Sequence, residues 1–197
     1  MSIALTDITY RKPDRQDAAA MSHFGRKTFS DTFAHLYKPQ DLSHYLNRVY
    51  TPAVFLADLA TPGTEFRVAE HAGQIIGFCK IGSVTVPINP VPPRSIELRQ
   101  LYVDHGYHGS GVAATLMAWA LDRAFARECE TVYLSVYAEN FRAQRFYERH
   151  GFKTIGEYKF MVGNQADDEL IMMLKLCHDL TETEAAPEST PAKDSAR

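Results

Sequence analysis

Residues 97–113 read ELRQLYVDHGYHGSGVA. An apolar strand pattern, ending near Val103, runs into a turn carrying Gly106, Gly109 and Gly111. The turn opens at once into an amphipathic helix. Glycine lets a backbone adopt positive φ and approach a ligand closely. A helix N-terminus adds N–H groups without intrahelical partners and a partial positive charge. Strand, glycine turn and helix in that order form a cradle for a phosphate or pyrophosphate. A tight turn with no ligand is the alternative that the glycines alone leave open.

Working outward, residues 3–10 alternate loosely and read as a first strand. Asp14 is placed to cap a helix reaching about Tyr37, with Ala18, Met21, Phe24, Thr28 and Phe29 at helical spacing. Pro39 and Pro52 open two further helical stretches, and Thr61-Pro62-Gly63 stops them. Residues 65–71 and 75–81 read as a hairpin around Ala72-Gly73-Gln74. Residues 82–94 form a proline-rich loop, and strand returns over 95–104. The helix after the glycine turn, 110–128, buries Val112, Leu116, Trp119, Ala120 and Ala124. Residues 131–137 (TVYLSVY) are β-branched and aromatic and read as a buried strand. A helix over 140–150 stops at Gly151, and strands follow over 152–162 and 169–176. This order predicts an α/β fold, a mixed sheet with helices on both faces and a right-handed crossover at 95–137. From about His178 the chain is polar and carries two prolines. One domain over residues 1–177 and a disordered tail over 178–197 are expected.

Of the 197 residues, 45% are hydrophobic and 23% charged, the profile of a globular chain able to bury a real core. A formal net charge of −3 offers no field for nucleic acid or an anionic membrane. An anionic ligand must therefore be held by local geometry. No run approaches the ~20 apolar residues needed to span a bilayer. The N-terminus has no signal-peptide core. Cys79, Cys129 and Cys177 form neither a disulfide framework nor a metal motif, which suits a reducing cytoplasm. His105 and His108 lie three apart in a turn with no third ligand, so we expect no metal and place them at the edge of the phosphate site.

No Lys-Ser/Thr pair follows the glycine turn, so it is not a Walker A loop. Ala114 stands where a dinucleotide fingerprint needs its third glycine, and no acidic residue ends the strand 131–137. Residues 97–113 resemble instead the acetyl-coenzyme A segment of the GNAT superfamily of N-acetyltransferases, whose loop reads Gln/Arg-x-x-Gly-x-Gly/Ala. Gly109 and Gly111 fill the glycine positions, and Gly106 departs from the usual Gln or Arg. A second stretch, YAENFRAQRFYERHGF over 137–152, is similar to the family's Asn-x-x-Ala-x-x-Phe-Tyr-x-x-x-Gly-Phe at Asn140, Ala143, Phe146, Tyr147, Gly151 and Phe152. Asn140 and Tyr147 are seven apart, two helical turns, and share a face.

The resemblance spans about residues 3–176. It implies a mostly antiparallel sheet of the acyl-CoA N-acyltransferase fold and acetyl-CoA as co-substrate, with no metal. Leu101, Tyr102 and Val103 would pair by backbone with the pantetheine arm. The N–H groups of His108, Gly109, Ser110, Gly111, Val112, Ala113 and Ala114 would hold the pyrophosphate. Asn140 would bond near the pantetheine or acetyl end, and Arg142 or Arg145 would reach the 3′-phosphate. Tyr147 would protonate the leaving sulfur, and the N–H of Leu101 or Tyr102 would hold the oxyanion. Glu97 is open to three readings: general base through water, substrate anchor, or satisfied strand carboxylate. Phe24, Phe29, Phe33, His35 and Tyr37 line an acceptor pocket or the core, with Tyr158, Phe160 and Met161 opposite. The acceptor would be a small-molecule or peptide amine. Family members often pair through their last strands, so a homodimer is a possible arrangement. A non-catalytic acyl-CoA sensor and a nucleotide binder are the competing classes.

Overall fold

A computed structural model of the chain describes residues 7–163 and 165–177. The first four residues of the expected 3–10 strand, and the expected disordered tail, lie outside the described residues. What is described of that strand is β1, Ile8–Arg11. Asp14 then caps a short 3-10 turn through a capping box with Asp17, leading into α1, Ala18–Phe33. Pro39 and Pro52 start α2, Pro39–Val49, and α3, Pro52–Ala60, each at the first helical position. Thr51 adds a side-chain cap to α3, accepting from Val54 N–H at 3.2 Å.

Strands β2, Glu65–His71, and β3, Gln74–Gly82, form the expected hairpin. Its loop is shorter than the expected three residues. Gln74 pairs with His71, and Ala72 and Gly73 both take positive φ, +49° and +75°. That is the twist a two-residue type I′ turn demands. Strand β4, Ser95–Val103, leads through the glycine turn into α4, Val112–Ala126. Then follow β5, Thr131–Tyr137, α5, Phe141–Arg149, β6, Lys153–Val162, and β7, Gln165–Lys175. Strand β7 begins four residues before the expected start, because Gln165–Asp168 pair with β6 despite their polarity.

The seven strands form one sheet in the order β1-β2-β3-β4-β5-β7-β6. Only β4 and β5 run parallel, so the sheet is mixed and mostly antiparallel. Adjacent residues on one strand feed different cores, as strand alternation requires. Phe78 packs with Met21, Phe24, Tyr50 and Phe55 on the α1–α3 face. Cys79 packs with Leu116, Met117, Ala120 and Leu134 on the α4 face. Helices therefore cover both faces. Met117 takes the fully buried place expected of Trp119, whose larger ring sits at the margin, partly buried. No helix among the described residues is long and apolar enough to cross a membrane.

One irregularity positions everything that follows. Lys80 pairs with Gln100 and Ile81 with Leu98, so Arg99 is an extra residue in β4. Such a bulge bends its strand. On the other edge, β4 pairs with β5 only at Ser95, Ile96 and Glu97. Past the bulge the two parallel strands part, and the sheet opens into a cleft.

Candidate active site

The cleft has a volume of about 800 Å³ and runs from the glycine turn, past the open edge of β4, to the floor made by β5, β6 and β7. Leu101, Tyr102 and Val103 all line it. Their strand is bonded to β3 on one edge and has no strand on the other. An extended amide chain can therefore be received there as an added strand. The Tyr102 ring turns to the α1–α3 face, where its hydroxyl meets Tyr50 Oη at 2.6 Å and burial pushes it up to about 12.

At the turn, Gly109 and Gly111 hold φ of +80° and +88°. Only glycine takes that region without cost, and Gly111 is the residue at which α4 begins. His108 and Ser110 already donate their N–H groups to the carbonyls of His105 and Tyr107, at 3.1 and 3.2 Å. The N–H groups of Gly109, Gly111, Val112, Ala113 and Ala114 have no backbone acceptor among the described residues, and Thr115 N–H makes the first bond of the helix, to Gly111. Of the expected cradle, five donors are free and two are engaged in holding its shape. The Ser110 hydroxyl also tightens the turn, donating to Tyr107 O at 2.6 Å.

Arg142 and Arg149 both line the cleft, and Arg142 reaches the glycine turn through His108. Arg145 points away. Arg142 Nη2 lies 3.2 Å from His108 Nε2, which is also 3.1 Å from Val103 O. Burial and the Arg142 charge push the His108 pKa down, so the ring is neutral at neutral pH. These arginines, the free N–H groups and the open strand edge fit the three parts of coenzyme A: phosphates, pyrophosphate and pantetheine.

Asn140 caps α5, its Oδ1 accepting from Ala143 N–H at 3.2 Å. It also lines the cleft. Two turns on, Tyr147 is buried between Phe146 and Phe152 on the α4 face, with ring centroids 5.5 and 6.0 Å away. Its hydroxyl makes no hydrogen bond within the described residues. Burial pushes it well up, so it carries its proton throughout the neutral range.

Glu97 lies where β4 still pairs with β5, on the opposite face from Tyr147. It is buried. Its Oε2 accepts from Thr85 N–H, from Thr85 Oγ1–H at 2.9 Å and from Val86 N–H at 3.1 Å. That oxygen pins the proline-rich loop to the sheet.

Two lining residues carry no sequence motif. Thr28 Oγ1, from α1, is the one buried side-chain polar atom among the described residues without a partner. Glu169 sits in β7 between its register partners Tyr137 and Tyr158. Burial pushes its carboxyl up to about 7; the Ser135 hydroxyl pulls the other way, and the Asp167 charge adds to the rise. A carboxylate at an inward position of a half-polar strand is the only signal that marks it. Phe29, Phe33, Tyr158 and Phe160 line the cleft as expected, and Phe24 is core. Tyr37 instead donates to buried Asp167, and Met161 is exposed. No cluster of three metal-ligating side chains occurs among the described residues.

Residues 29–152 match the Acetyltransferase (GNAT) family. An uncharacterized N-acetyltransferase of Mycobacterium tuberculosis is 30% identical over 81% of this chain and 98% of its own length. The spermine/spermidine N(1)-acetyltransferase of Bacillus subtilis is 26% identical over 46% of this chain and 60% of its own. The fold is shared with the PaiA N-acetyltransferase of Thermoplasma acidophilum, solved in complex with coenzyme A, at a TM-score of 0.69 and 20% identity, covering 86% of this chain and 99% of that one. The parted strands, the glycine cradle and these matches lead to one assignment: the chain belongs to the GNAT acetyltransferase family and is an acetyl-CoA-dependent acyltransferase.

Proposed function

We propose that the protein moves the acetyl group of acetyl-CoA to a primary amine by direct attack within a ternary complex. The observation that carries this reading is the protonated Tyr147 hydroxyl, lining the cleft with no hydrogen-bond partner among the described residues, while the other end of the cleft is a phosphate cradle. The five free N–H groups and the α4 dipole hold the pyrophosphate. Arg142 and Arg149 meet the remaining phosphate charge. The open edge of β4 pairs with the pantetheine amides, and Thr28 Oγ1 gains from them the partner it lacks.

With the arm so aligned, the N–H of Leu101 or Tyr102 meets the oxygen that gains charge as the amine attacks. The carbon–nitrogen bond forms, the carbon–sulfur bond breaks, and Tyr147 supplies a proton to the departing sulfur. Neither end supplies a nucleophile for a covalent enzyme intermediate: buried Cys79 is pushed well up by burial and stays a thiol. Glu97, with one oxygen committed to three donors, positions the floor of the acceptor end, and we do not assign it proton removal. Cys79, Cys129 and Cys177 form no disulfide, which suits a reducing compartment, and we place the reaction in the cytoplasm.

Thiol release from acetyl-CoA, followed across a panel of primary amines alongside calorimetric titration of acetyl-CoA, tests the reading. Amine-dependent release with one-to-one binding supports it. Binding without release for every amine would make the protein an acyl-CoA sensor instead.

A further inference from the structure

The acceptor end of the cleft is walled by rings. Phe29 stands 4.8 Å from Tyr45, Tyr45 stands 5.9 Å from Phe160, and Phe33 stands 6.0 Å from Tyr137. All of them line the cleft, and Glu169 lies among them. The ion pairs formed among the described residues leave Glu169 out. The cations at that end are held elsewhere: Lys80 by Asp58, and Arg99 by the Ser83 carbonyl at 2.7 Å. The neighbouring carboxylates are engaged as well. Glu97 holds the loop, and Asp167 accepts from Tyr37 and from Gln165 Nε2 at 3.0 Å.

Glu169 is half-buried, and a carboxylate partly withdrawn from water without a cation costs stability. Such a group is retained where a ligand supplies the charge. Resting on the acetyl-transfer reading, we propose that Glu169 is the catalytic base, taking the proton of the incoming ammonium, and that the acceptor is a primary amine with one positive charge on an aromatic or alkyl body. One unpaired carboxylate matches one ammonium. Ring faces attract that cation and bury the apolar body behind it. An amino acid would bring a carboxylate to an end whose cations are already held, and a polyamine would bring a second cation where Glu97 and Asp167 are already engaged and offer it no carboxylate.

The proton count closes. Glu169 takes one proton from the ammonium, and the neutral amine attacks the thioester. The nitrogen, now bearing two hydrogens and a positive charge, loses the second. The sulfur leaves with the bonding pair and takes a proton from Tyr147, which regains one from that nitrogen. Glu169 releases its proton to solvent.

Charged and titratable groups face Glu169 from several elements: Asp167 on its own strand, Tyr158 on β6, and Tyr102 and Glu97 on β4. Tyr137 on β5, Tyr45 on α2, Tyr147 on α5 and Tyr37 after α1 complete the surroundings. Burial pushes each of these hydroxyls up, so the tyrosines stay neutral. A base must be ionised, and the Glu169 carboxyl sits at about 7. Therefore kcat/KM falls as pH drops through about 7.

The test measures thiol release by the full chain with phenethylamine, hexylamine, spermidine and an alanine-starting tripeptide. The expected ranking gives the first two kcat/KM values about 10-fold or more above the others, as partner matching at a desolvated site allows. A faster rate with spermidine or the tripeptide overturns the acceptor class. Glu169→Gln should lower kcat/KM by about 100-fold and abolish the acid limb. Glu169→Asp should keep the limb at a reduced rate. Acetyl-CoA affinity by calorimetry should stay within about 2-fold in both, which reports that the variants are folded. A limb that survives in Glu169→Gln overturns the proton role. Binding of acetyl-CoA with release by no amine overturns the underlying acetyl-transfer reading as well.

Discussion

The two ends of the cleft are made of different materials. The cofactor end is backbone: a strand edge, a helix N-terminus and two glycines at positive φ. The acceptor end is side chain: rings from α1, α2, β5 and β6 around Glu169. Backbone donors depend on chain geometry and tolerate most side-chain changes, provided that the glycines remain. A wall of side chains changes its preference with each residue. One fold can thus keep its cofactor and alter its acceptor, the division expected when function is grafted onto a scaffold.

Substitutions at the two ends should therefore fail in different ways. Gly111→Val should have the largest effect. A β-branched residue at φ +88° is strained by about 1–2 kcal/mol, and the loop must shift to relieve it. The free N–H groups then no longer converge, and calorimetry should show acetyl-CoA affinity reduced about 100-fold or more. Retained affinity would mean that the arginines, not the backbone, hold the cofactor.

Glu97→Gln comes next. It replaces an oxygen that accepts three hydrogen bonds by a neutral one, and the proline-rich loop should loosen by about 1–2 kcal/mol. The amine KM should rise about 10-fold, with acetyl-CoA affinity unchanged. A fall in kcat with a displaced pH profile and an unchanged KM would instead return the proton-accepting role to Glu97. The smallest effect lies outside both ends. Ala72→Asn places the Asn-Gly pair that a type I′ turn favours, and thermal melting should show a gain of about 0.5–1 kcal/mol. Neither substrate's kinetics should move; a change in either would mean that the hairpin couples to the cleft.

The same contrast explains what the sequence revealed. Glycines at positive φ, prolines at first helical positions and the Asp14 cap are local requirements, so the element order and the cradle were legible residue by residue. The parting of β4 from β5 was not, since the Arg99 bulge is an agreement between two strands that neither displays alone. Met117 and Trp119 differ in burial by their place around α4, a distinction that helical periodicity blurs. Glu169 has no motif because its meaning comes from neighbours on β5 and β6, and from rings more than a hundred residues earlier in the chain. Tyr147 was legible only through its pairing with Asn140, and His108 and Ser110 resembled free donors until their turn partners were known.

Under the proposed reaction, this cleft binds acetyl-CoA by its backbone and transfers the acetyl group with Tyr147 as acid. Amine-dependent thiol release by Tyr147→Phe, measured beside its acetyl-CoA affinity, tests both halves at once. Turnover should fall by about 100-fold or more, with affinity within about 2-fold of the unsubstituted chain. Unchanged turnover, or an affinity that collapses together with the rate, would contradict it.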